Sequence, residues 1–139
     1  MYQQKWDTEI TLTFSNDISQ QQAHQAVKRF WNRVDKRLYG NAVKNHNKRC
    51  ERMNVMEGDG DIRRVHFHIL ARRPIDRFAT ITAYCEFLKT QWLVDNRNNF
   101  VATFSPIQDV QRYTNYSTKT IQRNNCDALA LDSSHLAAN

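Results

Sequence analysis

Residues that interrupt or cross-link a fold are scarce in this chain. Its 139 residues include three Gly, two Pro and three Cys. No Gly-, Pro- or Ser-rich linker divides it, so we expect one domain over residues 1–139, long enough to bury a hydrophobic core. The cysteines, Cys50, Cys85 and Cys126, are odd in number and form no Cys-x-x-Cys pair. This pattern argues against a disulfide framework or a cysteine zinc site and favours a reducing compartment.

Long apolar runs are also missing. The first residues, MYQQKW, lack the apolar segment of a signal peptide, and no run reaches transmembrane length. The sequence therefore predicts an intracellular protein with no membrane partner.

Negative charge is in short supply. Fourteen Asp and Glu stand against twenty Lys and Arg, which gives a net charge of +6 and a pI near 9.5. Such a surface attracts polyanions, so nucleic acid is a natural partner, although a solvated basic surface accounts for the charge equally well. We expect the basic residues between positions 28 and 52 to contact phosphates.

Two kinds of periodicity predict an α+β domain. Alternating polar and apolar residues predict a strand over Glu9–Phe14. A helical apolar stripe over Ala23–Leu38 follows, with a Ser19–Gln22 capping box before it and Gly40 after it. The later predicted elements are strands over Glu51–Glu57 and Ile62–Arg72, a helix capped by Asp76 and running to Trp92, a strand over Phe100–Phe104 ended by Pro106, and a helix over Gln108–Lys119. The order implies an antiparallel sheet flanked by helices, with one face open to a ligand. We expect residues from about 122 to 139 to be partly disordered.

The second hairpin strand carries the sequence His66-Phe67-His68. Residues two apart on a strand face the same side, so both imidazoles point one way, about 6–7 Å apart. They form two-thirds of a metal site, and a carboxylate is the natural third ligand. If the hairpin turn is tight at Asp59-Gly60, Glu51 lies opposite His68. If residues 58–65 form a longer loop, Glu57 lies opposite His66, and the pattern alone does not decide between the two.

A third segment adds a candidate nucleophile. Tyr113, Tyr116 and Lys119 recur every three residues, so they share one face of the predicted helix. A phenol is a weak nucleophile near neutral pH because its pKa is about 10. A divalent ion that polarises a phosphate lowers the barrier to its attack, and a nearby ammonium stabilises the charge that develops. Packing of the helix against the sheet is the alternative role, and we favour it for Tyr113.

These segments together resemble the HUH endonucleases, in particular the rolling-circle replication initiators, or Rep proteins. Ile10 to Asn16 is similar to their first motif, His66-Phe67-His68 to histidine-hydrophobe-histidine, and Tyr116-Ser117-Thr118-Lys119 to Tyr-x-x-Lys. The resemblance implies an antiparallel sheet of about five strands. It also favours Glu57 as third ligand, because Glu57 stands nine positions before His66.

The resemblance implies a metal-dependent, sequence-specific single-stranded DNA endonuclease and strand transferase. His66, His68 and Glu57 would bind Mg²⁺ or Mn²⁺, Tyr116 would become linked to the 5′ end of the nicked strand, and Lys119 would assist. The substrate would be single-stranded DNA or an origin hairpin, in the cytoplasm of a prokaryotic host rather than a eukaryotic nucleus. The sequence has no Gly-x-x-x-x-Gly-Lys loop, so a helicase would come from a separate domain or from the host.

Two other functions fit parts of the pattern. Transposases with the same chemistry share the order of histidines and tyrosine, although they usually carry glutamine after the tyrosine. A non-catalytic single-stranded nucleic-acid-binding module can share the sheet plan, but it needs aromatic side chains on the open face. The predicted face carries Thr11, Thr13, His66 and His68, which form a poor stacking platform.

Overall fold

The structure is a computed structural model that describes residues 6–15, 17–58, 64–96, 101–107 and 135. Its elements, in chain order, are β1 (Thr8–Thr13), α1 (Gln20–Tyr39), α2 (Ala42–His46), β2 (Arg52–Glu57), β3 (His66–Ala71), α3 (Ile81–Asp95) and β4 (Val101–Pro106). The predicted helix over Gln108–Lys119 and the predicted disorder after residue 122 lie outside the described residues, apart from His135.

One antiparallel sheet organises the domain. Its strand order is β2-β3-β1-β4, so β3 and β1 are inner strands. Beyond β2, the backbone of His135 forms an isolated antiparallel bridge with Arg52 through two hydrogen bonds of 2.7 and 2.9 Å. The predicted α+β class with a helix-flanked antiparallel sheet is confirmed, with four strands in the described residues where about five were expected.

Helices α1 and α3 bury the sheet face that carries Leu12 and Phe67. Helix α1 begins where the sequence predicts, since Ser19 and Gln22 form both bonds of a capping box. Rings from strands and helices meet edge to face, with Trp92 6.0 Å from Phe14 and 5.5 Å from Phe30 between ring centroids. The buried residues of α1 are Ala23, Ala26, Val27, Phe30, Trp31, Val34 and Asp35. This packing supports the opposite face of the sheet, where the histidines lie.

Two local predictions need correction. Asp76 does not cap the second long helix, because residues 75–77 form a turn in which the Pro74 carbonyl accepts hydrogen bonds from the Arg77 and Phe78 amides. The Thr80 hydroxyl caps α3 instead, accepting from the Ala83 amide at 3.0 Å. Pro106 does not break the last strand but is its final residue, which an edge strand tolerates because no ladder donor is lost in its interior.

The cysteine prediction concerns two described residues. Cys50 and Cys85 are free thiols. Burial raises the pKa of the Cys50 thiol to about 12, so it stays protonated and inert at neutral pH.

Candidate metal centre

Strand β3 holds His66 and His68 on one face of the sheet. The strand has neighbours on both sides, so its backbone is fixed by two ladders of hydrogen bonds. The two imidazole centroids lie 5.1 Å apart with their planes nearly perpendicular. Strand alternation therefore brings the two rings together as the sequence predicts.

The register of the hairpin brings Glu57 to these rings. Glu57 pairs with His66, and Val55 pairs with His68. This is the register of the longer 58–65 loop, one of the two alternatives that the sequence left open. Glu51 lies beyond the other end of β2, where its backbone carbonyl accepts from the Arg72 amide. Four strand residues separate positions 51 and 55, a distance of about 13 Å.

One carboxylate oxygen contacts both imidazoles. Glu57 Oε2 lies 2.7 Å from His66 Nε2 and 3.7 Å from His68 Nε2. One ligand atom from each of the three residues lies within 4.8 Å of the others. Ligand atoms bonded to one cation at about 2.1 Å and at right angles would be about 3 Å apart. The three side chains are thus spaced as ligands of a single ion.

The loop after β2 requires glycine at its first position. Gly58 has φ = 89°, and a Cβ there would overlap the Arg64 carbonyl. The carbonyl of Gly58 also accepts a hydrogen bond of 2.7 Å from the Gln20 amide, at the start of α1. The end of β2 is therefore held against both α1 and the segment that leads into β3, and this fixes the position of Glu57.

The surroundings of the rings favour metal-binding states. The Arg64 carbonyl lies 3.2 Å from His66 Nδ1. In the tautomer that donates from Nδ1, the Nε2 lone pair is available to a cation. Burial lowers the pKa of His68, and the Glu57 carboxylate opposes this shift only in part. The neutral imidazole that coordination requires is therefore the favoured form of His68 near neutral pH.

The donor set suits a catalytic ion. Two imidazoles and one carboxylate can hold a divalent cation while leaving positions for water and a phosphate oxygen. The side chains of His66 and His68 remain 28% and 17% exposed, so a substrate can reach them. The chemistry of the cluster therefore fits the metal that the sequence predicts, and the assignment of these residues as ligands stays a prediction.

The face around the cluster is less open than the sequence suggests. Thr13 and Thr11 lie beside His66 and His68 on β1. On the same face, Val55 and Leu70 are only 1% exposed. Among the described strand residues, the positions that share this face carry no aromatic side chain. The face is partly covered and apolar below the histidines, and it offers no rings for base stacking.

Two contributors to the cluster were missed by the sequence reasoning. These are the Arg64 carbonyl, which orients His66, and Gln20, which fixes the loop after Glu57. A backbone carbonyl leaves no signal in a sequence, and Gln20 is one of several glutamines at the start of α1. The predicted nucleophile Tyr116, its neighbour Tyr113 and the predicted helper Lys119 lie outside the described residues.

Comparison with known proteins gives one finding. A family model of the ORF2 type of replication-associated protein matches residues 7–125. The match covers most of the chain, including the three candidate ligands and the Tyr116–Lys119 segment. No curated protein and no solved structure matches the chain. Among the residues that the structure describes, no helix is long and apolar enough to cross a membrane.

Proposed function

The chain belongs to the ORF2 family of replication-associated proteins, and on that premise we propose that it is a metal-dependent endonuclease and strand transferase that nicks single-stranded DNA to initiate rolling-circle replication. The observation that carries the proposal is the convergence of Glu57, His66 and His68 on one face of the sheet. The Tyr116-x-x-Lys119 sequence inside the matched segment supplies the remaining chemistry.

The proposed reaction is a transesterification. Glu57, His66 and His68 would hold Mg²⁺ or Mn²⁺, whose charge polarises the scissile phosphate. The Tyr116 oxygen attacks the phosphorus, the bond to the 3′ oxygen breaks, and the phenolic proton is lost to solvent or to a base. Lys119 stabilises the charge on the phosphoryl oxygens. The products are a 5′-phosphotyrosine ester and a 3′ hydroxyl that a polymerase can extend.

The ester bond permits the strand transfer. Because the phosphotyrosine keeps the phosphodiester linkage, attack by a 3′ hydroxyl releases Tyr116 and rejoins the strand. The expected substrate is a single-stranded origin or origin hairpin, and unwinding would be supplied by a linked or host helicase.

Two other functions are less well supported. A transposase would use the same side chains, but the matched family is one of replication-associated proteins. A non-catalytic binding module is disfavoured because the described strands lack aromatic side chains on the histidine face.

A labelled-oligonucleotide assay tests the proposal. A pool of single-stranded oligonucleotides of random sequence, labelled at the 3′ end, is incubated with the protein and Mn²⁺ and run on a denaturing SDS gel. We expect the label to migrate with the protein, because Tyr116 is joined to the 5′ side of the downstream fragment. The same pool labelled at the 5′ end should yield only free fragments.

Matched variants identify the nucleophile. Tyr116→Phe removes only the phenolic oxygen and should abolish both the adduct and nicking, whereas Tyr113→Phe should retain substantial activity. Peptide mapping by mass spectrometry should place the nucleotide on Tyr116. An adduct at Tyr113 would reverse the assignment, and undiminished nicking in EDTA would refute the metal-dependent mechanism.

A further inference from the structure

A cationic recess lies at the end of the sheet away from the metal centre. It has a volume of about 190 Å³ and lies between the end of α1, the start of β2 and the segment that follows β3. Arg49, Arg72 and Arg73 line it, together with the carboxylates of Glu51 and Asp76. Lys48 and Arg77 lie at its rim, where both cations contact the ring of Tyr39, at 5.2 and 5.5 Å from its centroid. We call the five basic residues the cationic patch.

The charge of the patch is accessible. The side chain of Arg72 is 50% exposed and lies 3.8 Å from the Glu51 carboxylate, a weak ion pair at the surface. Arg77 and Lys48 are exposed, and Ile75 beside them is 73% exposed. Five cations face two carboxylates here, so the recess has a net positive charge and its cations can exchange a weak partner for a phosphate.

A buried ion pair holds one wall of the recess in place. Asp35 is fully buried, and its carboxylate accepts hydrogen bonds of 2.9 Å from both Arg52 Nη1 and the Cys50 amide. The same carboxylate lies 3.3 Å from Arg49 Nη1. The ring of Trp31 packs against Arg52 at 4.9 Å. The chain from Arg49 to Arg52 is therefore positioned before any ligand binds, which lowers the entropy cost of binding.

The patch lies on the path of a strand that passes the metal centre. Arg72 is six residues after His66 along one strand direction, which corresponds to about 20 Å. At the spacing of about 3.4 Å per phosphate in one strand of a duplex, roughly six phosphates span that distance. The basic residues of α1 are less well placed, because α1 packs on the other face of the sheet, as the bond from Trp31 to Asn54 shows.

We infer that the cationic patch binds backbone phosphates of the DNA that flanks the cleavage site, about 20 Å from the metal centre. The identity of the ligand rests on the proposed function, whereas the anion-binding surface rests on the residues of the recess. Phosphates in a single strand and in a duplex have the same chemistry, so both are tested.

The test measures salt dependence in the absence of metal. Binding of a fluorescein-labelled 16-nucleotide oligo(dT), and of a 16-base-pair duplex, is measured by anisotropy in EDTA between 50 and 300 mM NaCl. Arg72→Gln/Arg77→Gln should make the slope of log K against log salt less steep by about 1.4 for the single strand or about 1.8 for the duplex. The larger loss identifies which form of DNA the patch contacts.

A charge-matched variant serves as the control. Arg29→Gln/Lys89→Gln removes two exposed cations from α1 and α3 and should change the slope by less than about 0.5. Thermal unfolding verifies that both variants are folded. Equal slopes for the patch variant and the parent protein, or equal losses in patch and control variants, would overturn the inference. Because EDTA prevents metal-dependent cleavage, a failure of the nicking proposal leaves this measurement interpretable.

Discussion

Glu57 decides whether the two imidazoles of β3 form a metal centre. Its carboxylate oxygen contacts both Nε2 atoms, while Glu51 is engaged with Arg72 at the far end of the hairpin. The two glutamates have similar sequence surroundings at the two ends of one hairpin arm, so they form a matched pair for mutation.

The first prediction compares these two glutamates. Glu57→Gln removes the charge of the shared ligand and should weaken Mn²⁺ binding about 10- to 100-fold, with a parallel loss of nicking. Glu51→Gln should change Mn²⁺ affinity less than about threefold, because only the distant electrostatic effect is lost. Isothermal titration with Mn²⁺ measures both affinities. A larger effect from Glu51→Gln would contradict the register of the hairpin.

At the scale of elements, the β2–β3 connection does most to position the cluster. Its first residue combines a positive φ with close packing against the Arg64 carbonyl. Gly40, after α1, also has a positive φ of 54°, but a Cβ there would meet no atom within 4 Å. The two glycines therefore separate backbone strain from steric overlap.

The second prediction uses these two glycines. Gly40→Ala should lower the free energy of unfolding by about 1–3 kcal/mol, the cost of an unfavourable φ. Gly58→Ala adds overlap with the Arg64 carbonyl, so it should destabilise the protein further and also weaken Mn²⁺ binding by displacing Glu57. Urea unfolding and metal titration provide the measurements. Normal Mn²⁺ affinity in folded Gly58→Ala would show that the loop does not position Glu57.

The third prediction concerns the buried ion pair that links α1 to β2. Asp35→Ala leaves the Arg52 guanidinium buried without its main carboxylate, and it should cost about 3–5 kcal/mol of stability. Asp95→Ala removes a partly exposed partner of Arg33 at 2.7 Å and should cost less than about 1 kcal/mol. Urea unfolding of the two variants checks the contrast, and similar losses would argue against a structural role for the buried pair.

Sequence reasoning succeeded where the cause is local. The alternation of β1 and the Ser19–Gln22 capping box are set by neighbouring residues, so both were predicted. The register that selects Glu57 depends on contacts between Gly58, Arg64 and Gln20, which a pattern does not encode. The burial of Val55 and Leu70 on the histidine face was missed for the same reason, since burial depends on what packs against a strand.

The whole molecule couples metal binding to folding, because the three candidate ligands come from two strands that meet only in the folded sheet. A ligand that binds only the folded state stabilises it by mass action. Metal affinity is therefore measurable without any DNA or catalytic assay.

The fourth prediction uses this coupling. Mn²⁺ at 100 times its dissociation constant should raise the free energy of unfolding by about 2.7 kcal/mol, and the melting temperature by on the order of 10 °C. His68→Ala should abolish most of this shift, whereas His46→Ala, on the exposed end of α2, should retain it. Equal shifts in the two variants would place the metal elsewhere.

The inner position of β3 has a consequence for amide hydrogen exchange. The amides of His66 and His68 belong to a strand flanked on both sides, so they should exchange with deuterium only when the sheet opens as a whole. Glu57 ends the neighbouring strand, beside the loop, and its amide should exchange earlier through local opening. Release of a bound ion would then begin at the carboxylate, with both imidazoles still in place, and the slow step of rebinding would be the return of a single side chain.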